Sequence, residues 1–247
     1  MTHAIVIGQS HCVAIHQALS TQRRQVRGVS VYRLESKNRP YEPDTISARD
    51  AVSIVKNSPS DARVFLSIFG TYHNIWGLLR SGPEFDFFLD QEDPPDPDAR
   101  VRIPHRAVAG AFERHLSKPG FLQRMEKTAS SPLYLLSTPP PKGDNDYMLE
   151  RLTSQKKRSY RGRDVAEIGV ERPLSRLKLW QMETRAITRW AASEGMEFVA
   201  APQEALDGSG FLHSAFYSDA THANEHYGAL VVDQICAIVE GRQLANG

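Results

Sequence analysis

The sequence has little cysteine. Cys12 and Cys236 stand at opposite ends of the chain, too few and too far apart for a disulfide framework or a metal-binding spacing, and both read as buried free thiols. Long hydrophobic runs are absent as well, and none approaches the roughly 20 apolar residues that span a bilayer. Neither sign of charge is in excess: 30 Lys and Arg against 29 Asp and Glu leave a formal net charge of +1. The chain therefore carries no overall field to recruit nucleic acid or an anionic membrane surface. There is no internal repeat, no Gly-x-Gly-x-x-Gly and no Gly-Lys-Ser/Thr, so no nucleotide loop is expected. Met1-Thr2-His3 runs straight into an apolar stretch with no basic region and no cleavage site, which leaves cytoplasmic residence as the default expectation.

What is present suits one doubly wound domain over residues 1–247. The chain is 40% hydrophobic with a mean hydropathy of −0.42, as expected of a water-soluble globular protein, and is long enough to bury a sizeable core. Ala4–Gly8, Val29–Tyr32, Val64–Phe69, Leu133–Leu136 and Phe198–Val199 read as strands. Between and after them, helical stripes are predicted after Ser10, over 47–56, over 105–129 with a break at Pro119-Gly120, over 173–193 and over 223–241. Strands alternating with helices imply a three-layer α/β/α sandwich around a parallel sheet of about five strands. Two stretches fall outside the rhythm and are expected to be loop insertions, 81–104 and 142–172. The first contains the acidic, proline-broken run Asp90–Asp98; the second contains Lys156, Lys157, Arg158, Arg161 and Arg163 around Tyr160, a charge run of the kind that usually faces water.

Chemistry concentrates at the ends and middle of the chain. Ser10 follows the first strand and Gly8-Gln9, and opens the first helix. Such a turn lies at the carboxyl end of a strand, where ligands of open α/β sheets bind. Taken alone, a serine at this junction is most often a helix cap. Near the other end, Asp219-Ala220-Thr221-His222 offers a base and, three residues before it, a carboxylate to orient it, which is what nucleophilic catalysis by serine requires. Between them stands Gly70-Thr71-Tyr72-His73-Asn74. The order Ser, Gly/Asn, Asp, His resembles the SGNH hydrolases, also called GDSL esterases.

That resemblance implies an SGNH-hydrolase or flavodoxin-like fold, a catalytic triad of Ser10, His222 and Asp219, and an oxyanion hole made by the Ser10 and Gly70 N–H groups with the Asn74 side chain. His73 is carried over with the Gly70–Asn74 block as a substrate contact. From position alone His11, next to the serine, could contact substrate or face solvent at the helix start, and the rigid turn Pro139-Pro140-Pro141 after the fourth strand would make Pro140 a wall of the site. The sequence departs from the family pattern in two places: Gln9 replaces the aspartate before the serine, and Gly70 and Asn74 come from one stretch instead of two. No cofactor is implied. His222 and His226, one helical turn apart, lack a third partner at a recognisable metal spacing. The implied substrate is an acyl ester, acetyl for preference, of a carbohydrate or small molecule. Transfer of the acyl group to a sugar hydroxyl, or a non-catalytic binding module on the same fold, stand as the other readings, and fold alone does not choose among them.

Overall fold

The computed structural model describes residues 3–21, 28–35, 45–80, 82–90, 96–154 and 159–242. In chain order its elements are β1 (Ala4–Gly8), α1 (Cys12–Thr21), β2 (Val29–Leu34), β3 (Thr45–Ile46), α2 (Ala48–Lys56), β4 (Arg63–Ser67) and α3 (Tyr72–Gly77). They continue with β5 (Phe85–Asp86), β6 (Val101–Arg102), α4 (His105–His115), α5 (Gly120–Thr128), β7 (Leu133–Leu136), α6 (Asn145–Ser154), β8 (Ser159–Tyr160) and β9 (Arg163–Asp164). Last come α7 (Val165–Ile168), α8 (Pro173–Ser193), β10 (Glu197–Val199) and α9 (Glu225–Val239).

β1, β2, β3, β4, β7 and β10 form one sheet in the order β10-β7-β4-β1-β2-β3, and every pairing is parallel. The sheet has six strands because Thr45–Ile46 adds a two-residue edge strand, too short to carry a period in the sequence. Successive side chains of a strand point to opposite faces, and here both faces are covered. Ala4, Val6, Phe65, Tyr134 and Leu136 meet Cys12 and Ile15 of α1 and Tyr227, Val231 and Ile235 of α9. On the other face Ile5, Ile7, Val64, Leu66, Leu133 and Leu135 meet Ala51 and Val55 of α2, Leu122 and Met125 of α5, and Ile187 and Ala191 of α8. This is the predicted α/β/α sandwich. α2 starts at a capping box: Ser47 Oγ accepts from Asp50 N at 3.1 Å while Asp50 Oδ2 accepts from Ser47 N at 3.3 Å.

The two predicted insertions are more regular than expected. β5 and β6 pair in parallel, and Phe87, Leu89, Val108, Ala109 and Phe112 join Leu179, Met182 and Ala186 of α8 in a third apolar cluster. The run over 142–172 folds into α6, the β8–β9 hairpin and α7. The hairpin turns at Arg161 (φ 51°) and Gly162 (φ 79°), the left-handed pair that a two-residue turn of matching twist demands. Arg161 and Arg163 are exposed; Lys156, Lys157 and Arg158 lie outside the described residues, as do 91–95 of the acidic run. An antiparallel bridge from Leu79 to Val170, with Glu171 N donating to Leu78 O at 3.1 Å, ties the segment after α3 to the segment after α7.

Candidate active site

Strand order changes direction beside β1: β2 and β3 are added on one side, then β4, β7 and β10 on the other. The gap between β1 and β4 at their carboxyl ends is thus the switch point where open sheets hold ligands. Ser10 follows β1 and Thr71 follows β4, and Gln9 N donates to Ser67 O at 3.0 Å across that gap. The approach is close enough to require a glycine at position 8, since a Cβ there would fall 2.8 Å from Ser67 Cβ and Ser67 O. Among the described residues the Ser10 hydroxyl makes no hydrogen bond, so it does not cap α1. It lines a cleft of about 440 Å³ together with His11, Thr71, Asn74, Ile75, Leu78, Leu79, Tyr160, Thr221 and His222.

His222 arrives from the far end of the chain on a loop folded around Asp219. The carboxylate Oδ1 accepts from the N–H groups of Thr221 (2.8 Å) and His222 (2.7 Å), and Oδ2 accepts from His222 Nδ1 at 2.7 Å. Burial works to raise the Asp219 pKa, but the His222 ring and these N–H donors prevail and hold it well below the usual carboxylate range. Asp219 is therefore ionised at neutral pH, and with Nδ1 donating to it, His222 Nε2 is left as the acceptor. Asn224 fixes the loop's exit: its Oδ1 caps α9 by accepting from His226 N and Tyr227 N, and its Nδ2 donates to Ala215 O and Tyr217 O.

No hydrogen bond joins Ser10 to the His222 ring among the described residues. The ring of His11 packs against His222 instead, with centroids 5.0 Å apart and planes at 49°. His11 Nδ1 is buried without a partner, and burial, followed by repulsion from His222, His73 and Lys142 and opposed by Asp219, pushes its pKa down to about 3. A neutral imidazole thus packs from the Ser10 turn onto the Asp219–His222 loop.

The middle block divides. Asn74 lines the cleft, and Thr71, which the sequence reading passed over, lies beside it. Gly70 sits behind Thr71 on a separate cavity of about 40 Å³. Its φ of 93° and a close approach to Thr138, whose Oγ1 donates to Gly70 O at 3.0 Å, leave no room for a side chain. His73 is away from the cleft: it is 3% exposed and its Nδ1 is 2.7 Å from Glu183 Oε2 of α8. Glu183 also accepts from the N–H groups of Tyr72 and His73 at 3.0 Å each, so this pair anchors the start of α3. Pro140 is buried with Pro139 and Pro141 and is not among the cleft residues. Substrate contact through His73 or Pro140 is thus replaced by structural burial.

Ile75, Leu78, Leu79 and Tyr160 form an apolar side of the cleft that the sequence reading missed. The signal was available in part, because Asn74 and Leu78 are four apart on the helix and its C-cap and share a face. Tyr160 was read as part of a solvated charge run. Among the described residues no cluster of three or more His, Cys, Asp or Glu side chains is placed to hold a metal ion, and no helix is long and apolar enough to cross a membrane.

The architecture is a three-layer α/β/α sandwich around a six-stranded parallel sheet. Among solved structures the chain is similar to the periplasmic domain of the lipopolysaccharide acetyltransferase of Salmonella ser. Paratyphi A, at 13% identity and a TM-score of 0.50 over 97% of this chain and 84% of that one. It is also similar to a GDSL-like lipase from Bacteroides thetaiotaomicron (10% identity, TM-score 0.45, 97% and 88% covered) and to an extracellular lipase from Streptomyces rimosus (10%, 0.45, 97% and 100%). No family model and no curated protein matches the sequence, so the likeness is one of fold.

Proposed function

We propose that the protein is a serine hydrolase of carboxylic esters in which Ser10 is the nucleophile, His222 the general base and Asp219 its orienting carboxylate. The observation that carries this reading is that His222, held by Asp219 at 2.7 Å, lines the same cleft as Ser10 at the switch point of the sheet. Ser10 Oγ attacks the ester carbonyl and its proton passes to His222 Nε2. The imidazolium, stabilised by Asp219, then protonates the departing alkoxide, leaving Ser10 acylated. Water activated by His222 releases the acid, and a sugar hydroxyl in its place would make the same chain an O-acyltransferase. The Asn74 side chain and the Ser10 N–H are the nearest candidates to stabilise the oxyanion, with the Gly70 N–H behind Thr71 as a third. A nucleophile–base contact that is loose in a free enzyme and tightens on substrate is common in sites of this kind.

The cleft also bears on the substrate. The departing alcohol must lie where His222 can protonate it, which leaves the acyl group on the side of α3 and the β8–β9 hairpin. Ile75 is 62% exposed and Tyr160 37%, two of the four large apolar side chains most exposed among the described residues, and both line this side. An apolar acyl chain longer than acetyl would cover them.

A fluorophosphonate label should attach to Ser10 in the intact protein and not in Ser10→Ala. Hydrolysis of p-nitrophenyl esters from acetate to octanoate should rise beyond acetate. Ser10→Ala and His222→Ala should each remove activity by about six orders of magnitude, with the double variant little worse, and Asn74→Ala should lower turnover about a hundredfold. The missing Ser10–His222 hydrogen bond favours one competing reading, a non-catalytic binding module. Full activity in Ser10→Ala, or no labelling of the wild type, would leave that reading in place.

A further inference from the structure

We infer that Lys142 is a positioning residue of this site: its buried side chain grips the main chain of His222 and sets where the imidazole stands. The inference rests on the hydrolase reading above and concerns a residue 80 positions away from the histidine it holds.

Lys142 follows Pro139-Pro140-Pro141, a buried run whose restricted φ angles carry the chain stiffly away from the carboxyl end of β7. Its own backbone is clamped from two directions. Leu212 N donates to Pro141 O at 3.0 Å in a parallel bridge between Lys142 and Leu212. Arg176 Nη2 of α8 donates to Lys142 O at 2.7 Å, and Arg176 is itself 1% exposed and held by Asn145 Oδ1 at 2.7 Å. From this fixed base the side chain, 2% exposed, runs beneath the triad loop and Nζ donates to His222 O at 2.9 Å. The ring of Tyr217 lies 5.3 Å from the ammonium.

A buried ammonium is costly unless it is paired, and its pairing here is directed at the site. The charged and titratable groups that bear on it are Asp219, which attracts it, Arg176, which repels it, and Tyr217, His11 and His222 around it. Burial, with Asp219 opposing and Arg176 assisting, pushes the amine down to about 8, so it is largely charged at neutral pH. Satisfying one loop carbonyl does not require a lysine, since Ser218 N already donates to His222 O at 3.3 Å. A charged donor on a rigid base does something that partner does not: it ties the Asp219–His222 loop to the β7 and α8 framework. Displacing a catalytic group by about 1 Å can cost on the order of a hundredfold in rate.

The test compares wild type, Lys142→Met and Lys142→Arg by amide hydrogen exchange over 217–224 and by kinetics on p-nitrophenyl butyrate. In Lys142→Met, exchange at 219–222 should quicken about tenfold, measured against the amides of α9. Its kcat should fall about tenfold or more with KM within about twofold, and Lys142→Arg, which keeps a charged donor, should recover part of both. Wild-type exchange and wild-type kcat in Lys142→Met would overturn the inference, as would a rise in KM alone. Should Lys142→Met fail to fold, wild type and Lys142→Arg are compared from pH 7 to 9.5. Exchange at 219–222, corrected for its intrinsic pH dependence, should quicken near pH 8 only in the wild type, and identical profiles would overturn the inference. Fluorophosphonate labelling of the wild type is run alongside. Its failure would remove the hydrolase reading, while exchange still decides whether Lys142 holds the loop.

Discussion

At the scale of single residues, the site is a set of titratable groups whose surroundings push them apart. Asp219 is kept ionised by the donors it accepts from, and His11, more than two hundred residues before His222 in sequence yet packed on it in space, is kept neutral. The sign of the His11 contribution follows from its depressed value. The folded protein releases this proton by about pH 3, whereas the unfolded chain holds it up to the ordinary histidine value of 6.5. Between those limits the unfolded state binds more protons, so stability falls as pH falls through that window. His11→Gln should be less acid-labile than the wild type. Melting temperatures at pH 7, 5.5 and 4 should show the wild type losing ground to the variant at each step down, and parallel curves would mean that His11 takes up its proton without resistance.

At the scale of elements, the site is made by a helix pair. α9 lies on α1 so closely that a Cβ on Gly228 would fall 2.0 Å from Ala14 O and 2.8 Å from Ile15 N. Ala14 is four residues from Ser10, and Gly228 six from His222, so this contact draws the two ends of the chain together. Gly228→Ala must force the helices apart. Its cost should reach or exceed the upper end of ordinary overpacking, about 3 kcal/mol, and turnover should fall even at temperatures where the variant remains folded. Thermal denaturation and ester hydrolysis on the same sample check this, and an unchanged melting temperature would refute the close contact. α3 is set by an equally specific device: Glu183 holds its first turn, which is why His73 is a structural partner and Asn74, one residue on, is free to face the cleft.

Across the whole molecule α8 acts as a pillar. Its apolar residues face the sheet and the third cluster, while Arg176, Lys178 and Glu183 are buried and reach out to fix separate segments. Lys178 Nζ is 2.9 Å from Asp86 Oδ1, both side chains 3% exposed, and this pair fastens β5 to the pillar. For Asp86, burial acts to raise the pKa, but Asp96 N and Lys178 overcome it and the net shift is downward. Lys178→Met should leave the carboxylate buried and uncompensated and cost roughly 3–5 kcal/mol, whereas an apolar replacement of both partners should recover much of that loss. Urea denaturation of the single and double variants measures it, and equal stabilities would show that the pair contributes nothing to the docking of this segment.

The sequence by itself determined the layered fold. Runs such as Ala4–Gly8 and Leu133–Leu136 are apolar on both faces, which fits only strands covered on both sides, and Pro173 opened α8 where the pattern placed it. It also determined the Asp219–His222 pairing, because partners three residues apart are brought together by one local turn. Tertiary structure alone decided the rest. One apolar stripe over 173–193 gives no sign of the buried Arg176, Lys178 and Glu183 or of a Leu174 that is 42% exposed, since a helix surrounded on several faces has no single stripe to read. The parts played by Lys142, Glu183, Gly228 and Tyr160 depend on neighbours tens to more than two hundred residues away. A buried charge, a close backbone approach and a cleft wall are relations between segments, and one segment's spacing carries no record of them.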